Sequence, residues 1–119
     1  MAGERPGAPW PWKGVTAARL RELPRRRACG RVVPVAAGFH SRLLGLAGLC
    51  REEAGPGLLI PRCASVHTFG MRFELDIFFL DAEGKVIAER RRVPSRRVVT
   101  CRGACGVLEI PSEQGGRDR

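Results

Sequence analysis

Long hydrophobic runs and tyrosine are both missing from this 119-residue sequence. No apolar stretch approaches the roughly 20 residues that a membrane-spanning helix requires, so the sequence predicts no membrane span. Residues 1–31 also lack the apolar core of about 7–15 residues that a secretory signal contains. We therefore expect a cytoplasmic protein.

An even, regularly spaced set of cysteines is missing as well. The five that are present are Cys29, Cys50, Cys63, Cys101 and Cys105. A secreted disulfide framework usually has an even number, so this pattern predicts reduced thiols, mostly buried as small apolar residues. Cys101 and Cys105 have a spacing that metal ligands tolerate, but a structural zinc site needs four ligands. We accordingly predict no metal and no cofactor.

Acidic residues are too few to balance the arginines, and the excess positive charge is unevenly distributed. Residues 1–31 hold eight Lys or Arg against two acids, and residues 85–102 hold seven against one. Each stretch contributes +6 to a formal net charge of +9, and the rest of the chain sums to −3. Such charge can attract nucleic acid. A chain rich in Arg, Ala, Gly and Pro can also owe it to codon bias in a GC-rich genome.

The length of the chain suits one small domain. Residues 1–30 hold several prolines with scattered glycine and arginine, which is typical of a mobile basic extension. Trp10 and Trp12 within it can pack loosely on the domain or on a partner. We predict a single globular domain over residues 31–116 and a short tail over residues 117–119.

Periodicity predicts several short strands and one helix. Phe39, Leu43, Leu46 and Leu49 recur at spacings of three and four, which predicts a short helix over residues 39–49. Strand-forming segments lie at residues 31–36, 58–60, 71–80, 85–89, 97–101 and 106–110. This count predicts a mainly β fold, a small antiparallel β-sandwich or partly open barrel with one short helix.

The clearest strand signal is an alternation of apolar and polar residues that ends in a turn. The apolar positions, which share one face of the strand, are Met71, Phe73, Leu75, Ile77 and Phe79. Residues 81–84 then supply a turn that ends in glycine, and residues 85–89 return as the second arm of a hairpin.

Five sequence blocks in a fixed order carry more information than composition. They are Gly57-Leu58-Leu59-Ile60, Ser65-Val66-His67-Thr68-Phe69-Gly70-Met71, Leu75-Asp76-Ile77-Phe78-Phe79-Leu80-Asp81, Gly84-Lys85-Val86 and Val107-Leu108-Glu109-Ile110. Together they resemble the family catalogued as domain of unknown function 192 over residues 31–116. The resemblance implies a compact, jelly-roll-like β fold with one helix, and it implies no assigned activity, substrate or cofactor. Glu74 departs from the family pattern, in which a proline commonly precedes Leu75.

Polar residues around the start of the hairpin form the candidate binding surface. They are Ser65, His67, Thr68 and Asp76, with Arg42 and Glu109 expected nearby. His67 can act as an acid or base near neutral pH. However, Ser65 and His67 are two residues apart on one extended segment and rarely meet the geometry of a nucleophile and its base. We therefore predict no catalytic residues.

Each of these residues also has a structural interpretation. His67 and Thr68 can satisfy loop backbone groups, and Asp76 can fix a neighbouring strand or turn. Glu109 alternates with the apolar Leu108 and Ile110, so it is either a solvent-facing charge or the partner of a nearby arginine.

Clustered arginines offer an alternative site that could contact phosphates: Arg90, Arg91, Arg92, Arg96 and Arg97. The five phenylalanines occupy mostly apolar strand positions and tyrosine is absent, so stacking on bases and specific readout are not expected. A basic hairpin edge that prevents strand-to-strand aggregation explains the same charges without any partner.

The sequence thus favours a small, non-enzymatic accessory domain that binds an unknown small molecule or protein. The alternative is a basic protein that binds nucleic acid without sequence preference. A third hypothesis, a small hydrolase, requires Ser65, His67 and Asp76 to converge in one pocket. The sequence leaves the oligomeric state open.

Overall fold

The computed structural model describes residues 18–38, 41–42 and 45–113, which form a mainly β fold. Within them are two short helices, α1 (Ala18–Arg21) and α2 (Arg51–Ala54). The eight strands are β1 (Arg25–Ala28), β2 (Arg31–Pro34), β3 (Leu58–Pro61), β4 (Ser65–His67), β5 (Leu75–Leu80), β6 (Val86–Val93), β7 (Val98–Thr100) and β8 (Gly106–Pro111). The pairings between these eight strands are all antiparallel, as the sequence predicted. None of the helices described has the length and apolar character needed to cross a bilayer.

The strands form one sheet of four strands and two sheets of two, and these sheets do not close into a barrel. The four-stranded sheet has the order β3-β8-β5-β6, so β8 and β5 are central and β6 is an edge. β1 pairs with β2, and β4 pairs with β7. A single bridge between Val35 and Leu59 links the β1–β2 hairpin to the larger sheet.

The four-stranded sheet is covered on both faces. Leu58, Ile77 and Val107 belong to the larger core, which also includes side chains from α1 and β4. Leu59 and Leu108 belong to the smaller core, which lies against β2. A central strand of this sheet therefore has no solvent-facing side over most of its length.

The predicted hairpin is confirmed, but its first arm begins at Leu75 rather than Met71 and its second arm is longer than expected. Leu75, Ile77 and Phe79 are completely buried, as their alternation indicated. The Asp81 carboxylate accepts hydrogen bonds from the N–H groups of Glu83 and Lys85, both at 2.9 Å, and fixes the turn. β6 then runs to Val93 rather than ending near residue 89.

The helix predicted over residues 39–49 is wrong in its second half. Ser41 and Arg42 are helical, and the Gly45 N–H donates to the Ser41 carbonyl at 2.9 Å. Residues 45–48 form turns, in which Gly45 and Gly48 have φ of +52° and +80°. A right-handed helix does not continue through such backbone. Phe39 and Leu43 lie outside the described residues.

Other elements also differ from expectation. β1 (Arg25–Ala28) lies within the segment predicted to be an extension, yet it pairs along its full length with β2. Neither α1 nor α2 was predicted, because four-residue helices carry too little periodicity. The five cysteines are free thiols, but all are exposed or half-buried rather than mostly buried. Trp10, Trp12 and the tail over residues 117–119 lie outside the described part of the chain.

Candidate ligand-binding site

A cavity of about 260 Å³ opens between the turn that carries Arg42, the strands β3 and β4, and the centre of β8. Here it is called the Glu109 cavity. Its wall has an apolar part and a polar part. The apolar residues are Leu46, Ile60, Val66 and Met71, and the polar ones are Arg42, Cys63, Ser65, His67 and Glu109, with Gly45 completing the wall. Ligand pockets usually measure about 300–1,000 Å³, so this cavity lies just below that range and suits a ligand of few atoms.

Glu109 supplies a buried carboxyl group to this cavity. Glu109 lies on the central strand β8, and the residues paired with it are Leu58 on β3 and Ile77 on β5. Both face the larger core. Glu109 is only 3% exposed. Its side chain has no hydrogen bond or ion pair with any residue that the structure describes. Glu109 is therefore not a solvent-facing charge, because β8 is covered on both faces. The predicted arginine partner is also wrong, because no arginine among the described residues lies within ion-pair distance of its carboxyl.

Burial also changes the protonation of Glu109. Loss of solvation raises the pKa of its carboxyl from 4.5 to about 8, because the charged form is disfavoured away from water. At neutral pH the group is therefore mostly a carboxylic acid, which can donate one hydrogen bond as well as accept.

The loop beside Glu109 leaves room for its carboxyl. A Cβ added at Gly45 would lie 3.4 Å from the Glu109 Oε1 atom, which is van der Waals contact distance. The guanidinium of Arg19 on α1 donates to the carbonyls of Gly45 at 3.0 Å and Ala47 at 2.7 Å. The Gly48 N–H donates to the Gly70 carbonyl at 2.9 Å. These bonds hold the loop in place over β8.

Arg42 brings a positive charge to the same wall. Its guanidinium donates to the backbone carbonyls of Pro61 and, at 3.1 Å, Arg62, so the helical turn is tied to the end of β3. No carboxylate in the described ranges lies within ion-pair distance of Arg42. Because a guanidinium remains charged at any working pH, the cavity carries a cation that no carboxylate of the described residues neutralises.

His67 and Ser65 lie on β4 and are exposed, so they mark the mouth of the cavity. The His67 Nδ1 accepts a hydrogen bond from the Phe69 N–H at 3.2 Å. In the neutral imidazole the proton is then on Nε2, which donates to no residue that the structure describes. The Ser65 hydroxyl bonds instead with the Thr100 hydroxyl across the β4–β7 pair, at 2.8 Å.

Thr68 and Asp76, also predicted in the site, do not line the Glu109 cavity. Thr68 is fully buried, donates to the Pro94 carbonyl at 2.7 Å and accepts from the Arg97 N–H at 2.9 Å. Asp76 accepts from the Arg92 N–H at 2.9 Å and the Ser112 hydroxyl at 2.7 Å. Both residues make the backbone-fixing contacts of their structural interpretation, and Ser65, His67 and Asp76 do not converge.

Sequence reasoning missed Cys63, which contributes a thiol to the wall. Its Sγ donates to the Ser65 carbonyl at 3.2 Å. Cys63, His67 and Glu109 line one cavity, yet no cluster of His, Cys, Asp or Glu among the described residues is arranged to hold a metal ion. The only sequence signal for Cys63 was its place between β3 and the polar block.

A second, more open groove of about 410 Å³ lies between β6 and β7, and it is called the arginine groove here. Its basic residues are Arg90, Arg91, Arg92 and Arg97. Arg91 pairs with Glu89 at 2.8 Å and with Asp76 at 3.4 Å, and Arg92 pairs with Glu74 at 3.2 Å. Arg90 and Arg97 have no acidic partner in the part of the chain that the structure covers. Arg96 does not line this groove, and Arg26 and Arg27 line a different one.

Two solved structures have a similar fold. A protein from Sinorhizobium meliloti, described as a candidate transcription regulator, superposes with a TM-score of 0.56 and 17% identity, over 74% of this chain and 78% of that one. A protein of unknown function from Novosphingobium aromaticivorans superposes with a TM-score of 0.56 and 17% identity, over 87% of this chain and 92% of that one. At such low identity the likeness indicates a shared fold only.

Sequence comparison extends over most of the chain. The model of one family, DUF192, described as an uncharacterised ACR, matches residues 25–116. The match therefore includes β1 and every later strand. Comparison with curated proteins finds no match.

Proposed function

This chain belongs to the DUF192 family, and we propose that it is a small-molecule-binding domain whose site is the Glu109 cavity. The observation that carries this proposal is the buried Glu109 carboxyl, which faces an open cavity without a partner among the described residues. A buried polar group without a hydrogen bond costs roughly 1–3 kcal/mol. A bound ligand that hydrogen-bonds to Glu109 would offset this cost.

The lining of the cavity also supports binding. Arg42 and His67 present donors beside Glu109, while Leu46, Ile60 and Met71 provide apolar surface. A few directed polar groups on an apolar wall are typical of small-molecule sites. Catalysis is not part of the proposal, because the Ser65 hydroxyl bonds with Thr100 rather than with His67. We retain the cytoplasm as the proposed location on the strength of the five free thiols.

A fragment screen by ligand-observed NMR tests the proposal on the full chain. The library should span neutral, acidic and basic compounds of fewer than about 15 non-hydrogen atoms, in keeping with the cavity. We expect hits that bind the wild type and the control variant Glu83→Gln, whose exposed residue lies in the β5–β6 turn. Glu109→Leu should weaken those hits at least tenfold while making the fold more stable, since it replaces an unpartnered buried polar group.

Two results would contradict the binding proposal. One is a screen in which no fragment competes for a common saturable site on the wild type. The other is a set of hits that bind Glu109→Leu as well as they bind Glu83→Gln.

Nucleic-acid binding is the second candidate function, and the arginine groove is the observation that favours it. Arg90 and Arg97 line this groove without acidic partners, so their charges are available for phosphates. No aromatic side chain of the described residues lines it, which fits contact with the backbone rather than with bases. Binding to generic DNA or RNA, measured against salt concentration, decides between a functional groove and a solvated edge.

A further inference from the structure

The polar groups available in the Glu109 cavity are mainly hydrogen-bond donors. The Arg42 guanidinium has five N–H groups and uses two of its nitrogens for the carbonyls of Pro61 and Arg62. In the neutral His67 ring Nε2 carries the proton, because Nδ1 accepts from Phe69, and this N–H donates to none of the described residues. The Cys63 thiol and the Ser65 hydroxyl are already engaged within the protein. A matching ligand head therefore needs several acceptor atoms close together.

The charges around the cavity favour an anion over a cation. Arg42, from the helical turn, is a permanent cation on the wall and has no acidic partner among the described residues. His67 from β4 and Cys63 beyond β3 are the other titratable groups that line it. β5, which packs beside β8, contributes the apolar Ile77 opposite Glu109. A ligand ammonium group would be repelled by Arg42, whereas a single negative charge would be attracted.

Resting on the proposed binding function, we infer that the ligand is a small organic acid bound as its carboxylate. Its two oxygens accept hydrogen bonds from Arg42, His67 and the protonated Glu109. Its hydrocarbon part packs on the apolar wall, which consists of Leu46, Ile60, Val66 and Met71. A single fixed cation and a half-apolar wall match one carboxylate better than a multiply charged phosphate.

The bond between the two carboxyl groups gives this complex a distinctive pH dependence. A carboxylic acid that donates to a carboxylate makes a short, charge-assisted hydrogen bond. Loss of the Glu109 proton would replace this bond with repulsion between like charges. Burial raises the pKa of Glu109 to about 8, so affinity for an acid should fall as pH rises past that value. An amine would show the opposite trend, since the ionised carboxyl would attract it.

Three ligands of one shape test the inference by isothermal titration calorimetry on the full chain: 3-methylbutanoate, 3-methylbutanamide and 3-methylbutylamine. At pH 6.5 we expect the acid to bind at least tenfold more tightly than the amide, and the amine not to bind. At pH 9.0 the affinity of the wild type for the acid should fall about five- to tenfold. Glu109→Gln should bind the acid with little pH dependence, because its amide donates at every pH.

The outcomes separate this inference from the proposed function. Tighter binding of the amine or the amide than of the acid overturns the organic-acid assignment, although the cavity remains a binding site. Equal pH dependence in the wild type and in Glu109→Gln also overturns it, since the trend would then arise elsewhere. Failure of all three ligands refutes the organic-acid assignment, while neutral fragments that still need Glu109 would preserve the binding proposal.

Discussion

Glu109 places an ionisable group where a covered sheet normally has an apolar side chain. Its neighbours across the strands, Leu58 and Ile77, are completely buried hydrophobic residues. The cost of keeping a carboxyl there depends on its charge, and the protein lowers that cost by keeping it protonated. Stability should therefore report on this residue directly.

We predict that Glu109 makes the free energy of unfolding decrease as pH rises from about 5.5 to 8.5. The folded carboxyl has a pKa of about 8 against 4.5 for the ordinary group. Between those values the folded state holds a proton that the unfolded state has released, so raising the pH favours unfolding. The loss attributable to Glu109 should be on the order of 3 kcal/mol between pH 5.5 and pH 8.5.

Urea denaturation of the wild type and Glu109→Gln at several pH values measures this effect. The difference in unfolding free energy between the two proteins should change with pH in favour of the variant. Glu53, whose pKa is lowered mainly by the Cys50 N–H, acts in the opposite direction. The stability that Glu53 contributes is lost as the pH falls below 4.5, the ordinary pKa of the group, and that range is outside this window. A difference that stays constant from pH 5.5 to 8.5 would contradict the assignment.

At the scale of elements, Thr68 joins two loops that the chain separates widely. Its hydroxyl bonds with the Pro94 carbonyl and the Arg97 N–H, which connects the end of β4 to the segment between β6 and β7. This connection fixes the direction in which β4 enters the wall of the Glu109 cavity. Thr68 thus supports the site without lining it.

Thr68→Val should lower the unfolding free energy by about 2 kcal/mol, because it removes a fully buried hydroxyl and leaves the Pro94 carbonyl and the Arg97 N–H without this partner. Thr100→Val is the matched control, since its exposed hydroxyl bonds only with Ser65 and its loss should cost less than about 1 kcal/mol. Urea denaturation compares the two. An equal loss of unfolding free energy in both variants would show that the Thr68 hydrogen bonds stabilise the protein no more than the exposed one does.

The sequence correctly predicted elements that follow from a local residue pattern. Its predictions failed where burial depends on packing against both faces of a strand. Leu75, Ile77 and Phe79 were recognisable because β5 alternates in the usual way. The alternation in β8 was misinterpreted because both faces of this strand are buried: Leu108 faces the smaller core and Glu109 faces the larger one. Alternation alone therefore offered a solvent-facing charge or an arginine partner as interpretations of Glu109, and the structure shows neither. The predicted helix was too long because Leu46 and Leu49 continue the helical spacing of apolar residues, whereas Gly45 and Gly48 adopt turn backbone.

The site was only partly predictable for a similar reason. Arg42, Ser65, His67 and Glu109 were all chosen from the sequence, and the structure brings them to one cavity. The apolar wall and Cys63 were not chosen, because their membership depends on how the Arg42 turn packs over β3 and β4. Polar residue types indicate chemistry, whereas the shape of a cavity is a property of tertiary packing.

At the scale of the whole molecule, the positive charge of β6 and the segment after it is only partly paired with acids. Arg91 and Arg92 have acidic partners, while Arg90 and Arg97 have none among the described residues. β6 is also the exposed edge of the four-stranded sheet, where charged side chains discourage pairing with another chain. If the arginine groove is functional, it binds nucleic acid. If its charges only protect the edge of the sheet, no such binding is expected.

If the arginine groove binds nucleic acid, changing Arg90 and Arg97 together to Gln should alter the salt dependence of binding. Each lost phosphate contact reduces the slope of log affinity against log salt by about 0.7–0.9. Fluorescence anisotropy with generic single-stranded DNA and RNA measures the slope. The control is the double change of Arg25 and Arg26 to Gln on β1, which removes the same charge elsewhere. Equal slopes in the two variants, or no binding at low salt, would leave the groove with only its protective role.

The most direct measurement of the central claim is the location of a bound acid in the full-length protein. Methyl-labelled protein with 3-methylbutanoate should give intermolecular nuclear Overhauser effects to Leu46, Ile60 and Met71, which line the Glu109 cavity. Leu59 and Leu80, in the smaller core on the other face of the sheet, should give none. Saturable binding with contacts only outside the cavity, or no binding at all, would contradict the account.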